Sequence, residues 1–209
     1  MTQKQSTTLL VARHGLVDNP KDILYYRHVD VPLSKQGHVQ MREVGKRIKN
    51  HGFRPSCIYT SVLLRAVESS KEIAKSFPGI KIIEEEDLQD PYSPGIETKT
   101  NSWMSEIEEQ GIDVYSHPDL VDVIEPREDV GKRMQDVINE ITKKHTGETV
   151  IVVSHGDTTA LLKEKLRNPN KKLPSIAELK KNGHYPDKGD VWCVVLDTSG
   201  HIREESLFS

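Results

Sequence analysis

The sequence predicts a single-domain three-layer α/β/α sandwich over residues 1–209, with a mainly parallel sheet and an antiparallel edge, on three observations. Two apolar, β-branched runs, residues 7–12 and 149–153, each stop at a histidine-glycine pair, within Arg13-His14-Gly15 and Ser154-His155-Gly156. Runs of that composition bounded by glycine read as buried strands of a parallel sheet. Between them, strand-like segments alternate with amphipathic ones, the pattern of a sheet covered by helices on both faces. After them, residues 191–196 and 201–206 flank Asp197-Thr198-Ser199-Gly200, which predicts a terminal hairpin and so the antiparallel edge.

The elements follow in order. Residues 16–32 form a polar loop holding Asn19-Pro20, Tyr25, Tyr26, Arg27 and His28, a length and mixture suited to a functional loop. Ser34 caps a helix through about residue 50, with Val39, Val44 and Ile48 as its apolar positions, and Gly52 ends it. Residues 56–60 make a short strand, and Ser61 opens a helix from 62 to about 76. Pro78-Gly79 turns the chain into a strand over 80–83. Residues 84–122 are the least regular, broken by Pro91, Pro94, Gly95 and Pro118, and only 102–109 read as helix. Residues 127–145 form an amphipathic helix with Val130, Met134, Val137, Ile138 and Ile141 on one face. The second histidine-glycine strand leads into a helix from 157 to about 166. Residues 168–190 read as a lysine-rich insertion with one short helix.

Composition narrows the function classes. The 209 residues are 35% hydrophobic and 29% charged, as expected of a soluble domain with one core. A net charge of −3 argues against a nucleic-acid binder, which shows a basic excess or stripe. No apolar stretch approaches the roughly 18 residues of a membrane span, and residues 1–6 lack the apolar centre of a signal peptide. The two cysteines, Cys57 and Cys193, fall in or beside predicted strands and read as core residues in a reducing compartment. The expected location is cytoplasmic.

Two strands that each deliver a histidine to the carboxyl edge of one sheet bring those side chains to where α/β folds bind ligands. A metal site is one reading of such a pair. Zinc takes three or four ligands at recognisable spacings, and the other histidines are scattered without close pairing. Arg13 beside His14 also argues for an anion, because guanidinium suits bidentate phosphate recognition. Arg65, in the helix after the strand ending at Thr60, projects near the same edge. Two arginines and two histidines there form a pocket for a dianion, in which a neutral imidazole acts as a nucleophile on phosphorus. The charged runs 84–87 and Lys171, Lys172, Lys180 and Lys181 read as solvated faces.

At this point the chain resembles the larger branch of the histidine phosphatase (phosphoglycerate mutase-like) superfamily. The resemblance rests on Arg13-His14-Gly15, Pro32-Leu33-Ser34 with Gly37 and Gln40, Ser61-Val62-Leu63-Leu64-Arg65-Ala66, Leu88-Gln89-Asp90 and Ser154-His155-Gly156, all in order. It implies His14 as the phosphorylated nucleophile, with Arg13, Arg65 and a protonated His155 around the phosphoryl group. It also implies Asp90 as the proton donor, standing where most members carry glutamate; Glu97 is the next candidate. Asn19 is the expected further phosphate contact, and Arg27, with His28 and Tyr92, the expected pocket wall. No metal or cofactor is implied. The partner expected is a small phosphorylated metabolite, with neither nucleic acid nor membrane involved.

Three functions remain in play: a metal-independent phosphomonoesterase, a cofactor-dependent phosphoglycerate mutase, and a non-catalytic binder of phosphorylated partners. A mutase must hold a bisphosphorylated intermediate under a lid. Residues 98–125 contain only Lys99 as a cation, and three residues follow the predicted last strand, so hydrolysis is the expectation.

Overall fold

A computed structural model describes residues 6–27, 31–97, 99–117, 120–121 and 123–208. Its centre is a six-stranded sheet of β1 (Ser6–Arg13), β2 (Pro55–Thr60), β3 (Lys81–Glu84), β4 (Thr149–Ser154), β5 (Val191–Asp197) and β6 (Ile202–Phe208). The strand order is β3-β2-β4-β1-β5-β6. The first four strands run parallel, and β5 and β6 close the sheet antiparallel, as expected. Alternation along each strand divides the core in two. Leu9, Val11, Val150 and Val152 face one side and meet Met134, Ile138 and Leu162. Leu10, Ala12, Ile151 and Val153 face the other and meet Met41, Val44, Ile48 and Ile73. Each of the larger of these side chains, fully buried, contributes about 1.5–3 kcal/mol through removal of apolar surface from water.

The helices are α1 (Lys35–Asn50), α2 (Leu64–Ala74), α3 (Asn101–Glu109), α4 (Arg127–Lys144), α5 (Gly156–Arg167) and α6 (Ile176–Lys181), with single 3-10 turns at Glu86–Leu88 and Val114–Ser116. Ser34 caps α1, its hydroxyl accepting from Gly37 N–H at 3.0 Å. Ser61 does not cap α2, which starts later, behind Leu63. The Ser61 hydroxyl is instead 2.8 Å from His155 Nε2, so a residue expected to open a helix serves the site. Among the described residues, no helix is long and apolar enough to cross a membrane.

Two features of this arrangement place the site. In the β1–β4 ladder Arg13 pairs with Ser154, so His14 and His155 leave adjacent strands at the same level. The chain then goes to α1 on one face after β1 and to α5 on the other after β4. Helices departing to opposite faces from neighbouring strands open a crevice at the strands' carboxyl ends.

Candidate active site

That crevice is the inner end of a cavity of about 460 Å³. The His14 and His155 rings lie 5.3 Å apart, both buried. His14 Nδ1 is 2.8 Å from the carbonyl oxygen of Gly15, which accepts only if Nδ1 carries the proton. The lone pair is therefore on Nε2. Burial, with Arg65 and Arg13 nearby, holds the His14 pKa well below the usual histidine range. The result is a neutral imidazole of fixed tautomer.

Local structure holds the two arginines. Arg65 lies in the first turn of α2 and is fully buried. Its guanidinium donates to the Tyr26 carbonyl and, at 3.0 Å, to Asp90 Oδ2, and it stacks 4.7 Å from the Tyr25 ring. Ser69, one turn on, donates to the Arg65 carbonyl and accepts from Gly15 N–H, which ties the loop after β1 to α2. Arg13 donates to the Pro186 carbonyl at 2.8 Å and lies 5.1 Å over the Tyr185 ring. Arg13 Nε and His155 Nδ1 are buried with no hydrogen-bond partner among the described residues. A buried donor such as Arg13 Nε without an acceptor carries a desolvation penalty that an anion at this spot would remove.

His155 departs from its expected charge state. Burial and the neighbouring Arg65, His14 and Arg13 push its pKa well below the usual value, so the ring is neutral here rather than protonated. Its positive charge would arise only with a phosphate dianion between it and the arginines. Asp90 is shifted the opposite way. Burial raises its pKa to about 7 against the pull of Arg65, with Asp157 adding to the rise. It therefore keeps a proton over a range where an exposed aspartate has lost it. Its Oδ2 lies 3.6 Å from His155 Nδ1, too far for a hydrogen bond.

The remaining candidates divide. Asn19 lines the cavity, but its amide closes its own loop, donating to the Ile23 carbonyl and accepting from Ile23 N–H. Arg27 is placed away from the cavity. It donates through Nε to the Asp90 carbonyl at 2.8 Å and pairs with Glu125 at 3.0 Å, which makes it a prop for the Asp90 backbone. Tyr92 is exposed, with its ring 5.6 Å from Arg27, and Glu97 accepts from Arg27 N–H, also outside the cavity lining. His28 lies outside the described residues.

Four side chains at the site were not singled out by the sequence. Lys188 lines the cavity with its Nζ 5.9 Å from the Tyr25 ring, and burial beside Arg13 and Arg65 lowers its pKa to about 8. Asp157, in the first turn of α5, accepts from Tyr115 Oη at 2.6 Å and Tyr185 Oη at 2.7 Å. Tyr26 lies near them, within the field of Asp157 and Tyr185. Gly156 makes room for this cluster: a Cβ there would sit 2.1 Å from Tyr185 Oη and 2.9 Å from Arg13 Cζ. The α5 N-terminus adds its own partial positive charge at the inner end of the cavity.

The chain is similar to known proteins both in sequence and in fold. Residues 9–181 match the sequence profile of the histidine phosphatase superfamily (branch 1). The chain is 26% identical to phosphoglycerate mutase-like protein 4 of Arabidopsis thaliana over 201 residues, 94% of this chain and 87% of that one. It is 25% identical over 158 residues to a metal-independent phosphoserine phosphatase of the same plant, 74% of this chain and 66% of that one. Among solved structures, Bacillus stearothermophilus YhfR superposes with a TM-score of 0.75 at 25% identity, covering 94% of both chains.

Proposed function

The chain belongs to branch 1 of the histidine phosphatase superfamily, and from that membership and the geometry above we propose that it is a metal-independent phosphatase of small phosphate monoesters. The observation that carries the reading is His14: a buried neutral imidazole, its Nδ1 committed to the Gly15 carbonyl, lining a cavity between two arginines. A mere phosphate binder has no need of a deprotonated ring nitrogen there.

In this reading Nε2 of His14 attacks phosphorus and the ester oxygen departs. Arg13, Arg65 and His155 offset the charge spread over the equatorial oxygens. Asp90 gives its proton to the leaving oxygen and so releases a neutral alcohol. Water then attacks the phosphohistidine, its proton returns to Asp90, and phosphate leaves with His14 restored. Hydrolysis is favoured over mutase chemistry because Lys99 lies over the Trp103 ring at 5.5 Å and outside the cavity. It therefore offers no grip on a second phosphate.

The test is brief reaction with labelled phosphate monoester, followed by denaturation. Acid-labile, base-stable label on the wild type and none on His14→Ala is the expected result. In a parallel assay with 3-phosphoglycerate and 2,3-bisphosphoglycerate, release of phosphate should exceed formation of 2-phosphoglycerate. The reverse order would make the protein a mutase, and no label and no release would make it a binder.

A further inference from the structure

The cavity extends well past the phosphoryl end, and its outer lining bears on what the phosphate is attached to. Its apolar part comes from Leu24 on the first loop, Met104 on α3, Ile112 and Val114 after it, and Ile176 on α6. Its charged part comes from Asp22, Glu108, Asp113 and Lys180.

The charges do not cancel. Lys180 pairs with Glu108 at 2.6 Å, joining α6 to α3. Asp113 pairs with Arg127. Asp22 and Asp157 have only uncharged donors among their recorded side-chain hydrogen bonds: the amide of Asn101 at 2.6 Å for Asp22, and the two tyrosine hydroxyls for Asp157. Among the described residues of the lining, Lys188 is the one remaining cation besides Arg13, and it sits at the inner end, beside Tyr25 and within the field of Arg13 and Arg65. The cavity is thus cationic where a phosphoryl group would sit, and apolar with net negative charge beyond it.

Resting on the phosphatase reading of the same site, we propose that the substrate is the monophosphate ester of a bulky uncharged alcohol, selected against phosphorylated acids by the carboxylates of the outer cavity. A volume of about 460 Å³ exceeds the needs of a three-carbon acid and falls within the range of sites that enclose larger ligands. A carboxylate on the leaving group would meet the carboxylate of Asp22, which forms no ion pair among the described residues, and the like charges would repel. An apolar or hydroxyl-bearing leaving group would meet matched walls and the tyrosine hydroxyls.

The experiment uses two non-hydrolysable phosphonates, benzylphosphonate and 2-carboxyethylphosphonate, titrated calorimetrically into the intact protein. Benzylphosphonate should bind at least about tenfold more tightly, the size of effect that one unpaired like charge produces near a protein surface. Glu108→Gln frees Lys180 to face the cavity and should narrow that ratio about threefold or more; Lys180→Met leaves Glu108 unpaired and should widen it. Equal or tighter binding of the carboxylate, failure to bind either phosphonate, or ratios unmoved in both variants would overturn the proposal. Turnover separates it from the reading it rests on. Selective binding without hydrolysis of 2-naphthyl phosphate would leave the selectivity standing and remove the phosphatase. Hydrolysis of phosphoserine in preference to 2-naphthyl phosphate would keep the phosphatase and overturn the selectivity.

Discussion

Histidines occupy both edges of the sheet, and their surroundings differ in kind. At the amino edge His145 follows α4, with Nδ1 2.8 Å from Glu148 Oε2 and Nε2 3.1 Å from Tyr59 Oη. Its carbonyl accepts from Thr7, and its ring packs against Tyr59. Both ring nitrogens have partners, and the neighbouring charge is of the sign that suits an imidazolium. At the carboxyl edge His14 and His155 have arginines for neighbours, and His155 Nδ1 has no hydrogen-bond partner among the described residues. A histidine that completes a fold is surrounded by what stabilises it. One that is kept neutral among cations is stabilised by something that has yet to arrive, and that difference identifies the reactive edge.

Substitution at each edge gives the sharpest test of the contrast. His14→Ala should lower turnover of phosphate monoesters by at least about 10³-fold, because in the proposed mechanism His14 forms the covalent bond. His145→Ala should leave kcat within about twofold and instead cost about 1 kcal/mol of stability, a few degrees in Tm. Loss of activity without loss of stability in His145→Ala would break the comparison.

Arg65→Ala and His155→Ala should each lower kcat/KM by about 10²-fold or more, the scale of removing one preorganised charge partner of a transition state. Arg65→Ala also leaves Asp90 without its ion pair, so its pH profile should move as well as its rate.

Asp90 should show in pH and in the leaving group. Its pKa of about 7 means that the protonated form predominates below that value and is lost above it. With an alkyl phosphate, kcat/KM should therefore fall as pH rises through about 7. With nitrophenyl phosphate, whose leaving group departs without a proton, the fall should be weak. Asp90→Asn should cost about 10²-fold on the alkyl ester and much less on the aryl one. Equal losses on the two would move the acid role elsewhere. The same shift has a sign for folding: a carboxyl with raised pKa favours the folded state at low pH, and that contribution is lost as pH rises through about 7.

The smallest effect expected is none. Exhaustive treatment with a chelator should leave activity unchanged, since two arginines and a histidine are placed to offset the phosphate charge. Loss of activity restored by a divalent ion would replace this charge scheme with a metal-based one.

The sheet was legible in the sequence because its strands are short apolar runs with sharp ends, and a strand's end fixes which residues reach the carboxyl edge. His14, Arg13, His155 and Arg65 were readable for that reason, each lying at or just past such an end. Lys188 carried the same signal in a less familiar form. An antiparallel neighbour of β1 begins where β1 finishes, Val191 pairing with Ala12, so residues just before β5 fall at the same edge. Asp157 was readable too, as the residue after a strand-ending His-Gly. Tyr115 and Tyr185 were not, because they lie in irregular segments far apart in the chain and meet only through Asp157. Arg27 was misplaced for a similar reason: Glu125, which holds it, is 98 residues away.

The tyrosines on Asp157 also bear on how such a site can diverge. Surface loops ordinarily change one at a time, since each is anchored only at its own ends. Here the turn carrying Tyr115 and the segment carrying Tyr185 are fastened to a single carboxylate. A segment grafted from a relative without its tyrosine would leave that carboxylate short of a donor and slacken its companion. The two are inherited, or exchanged, as a set.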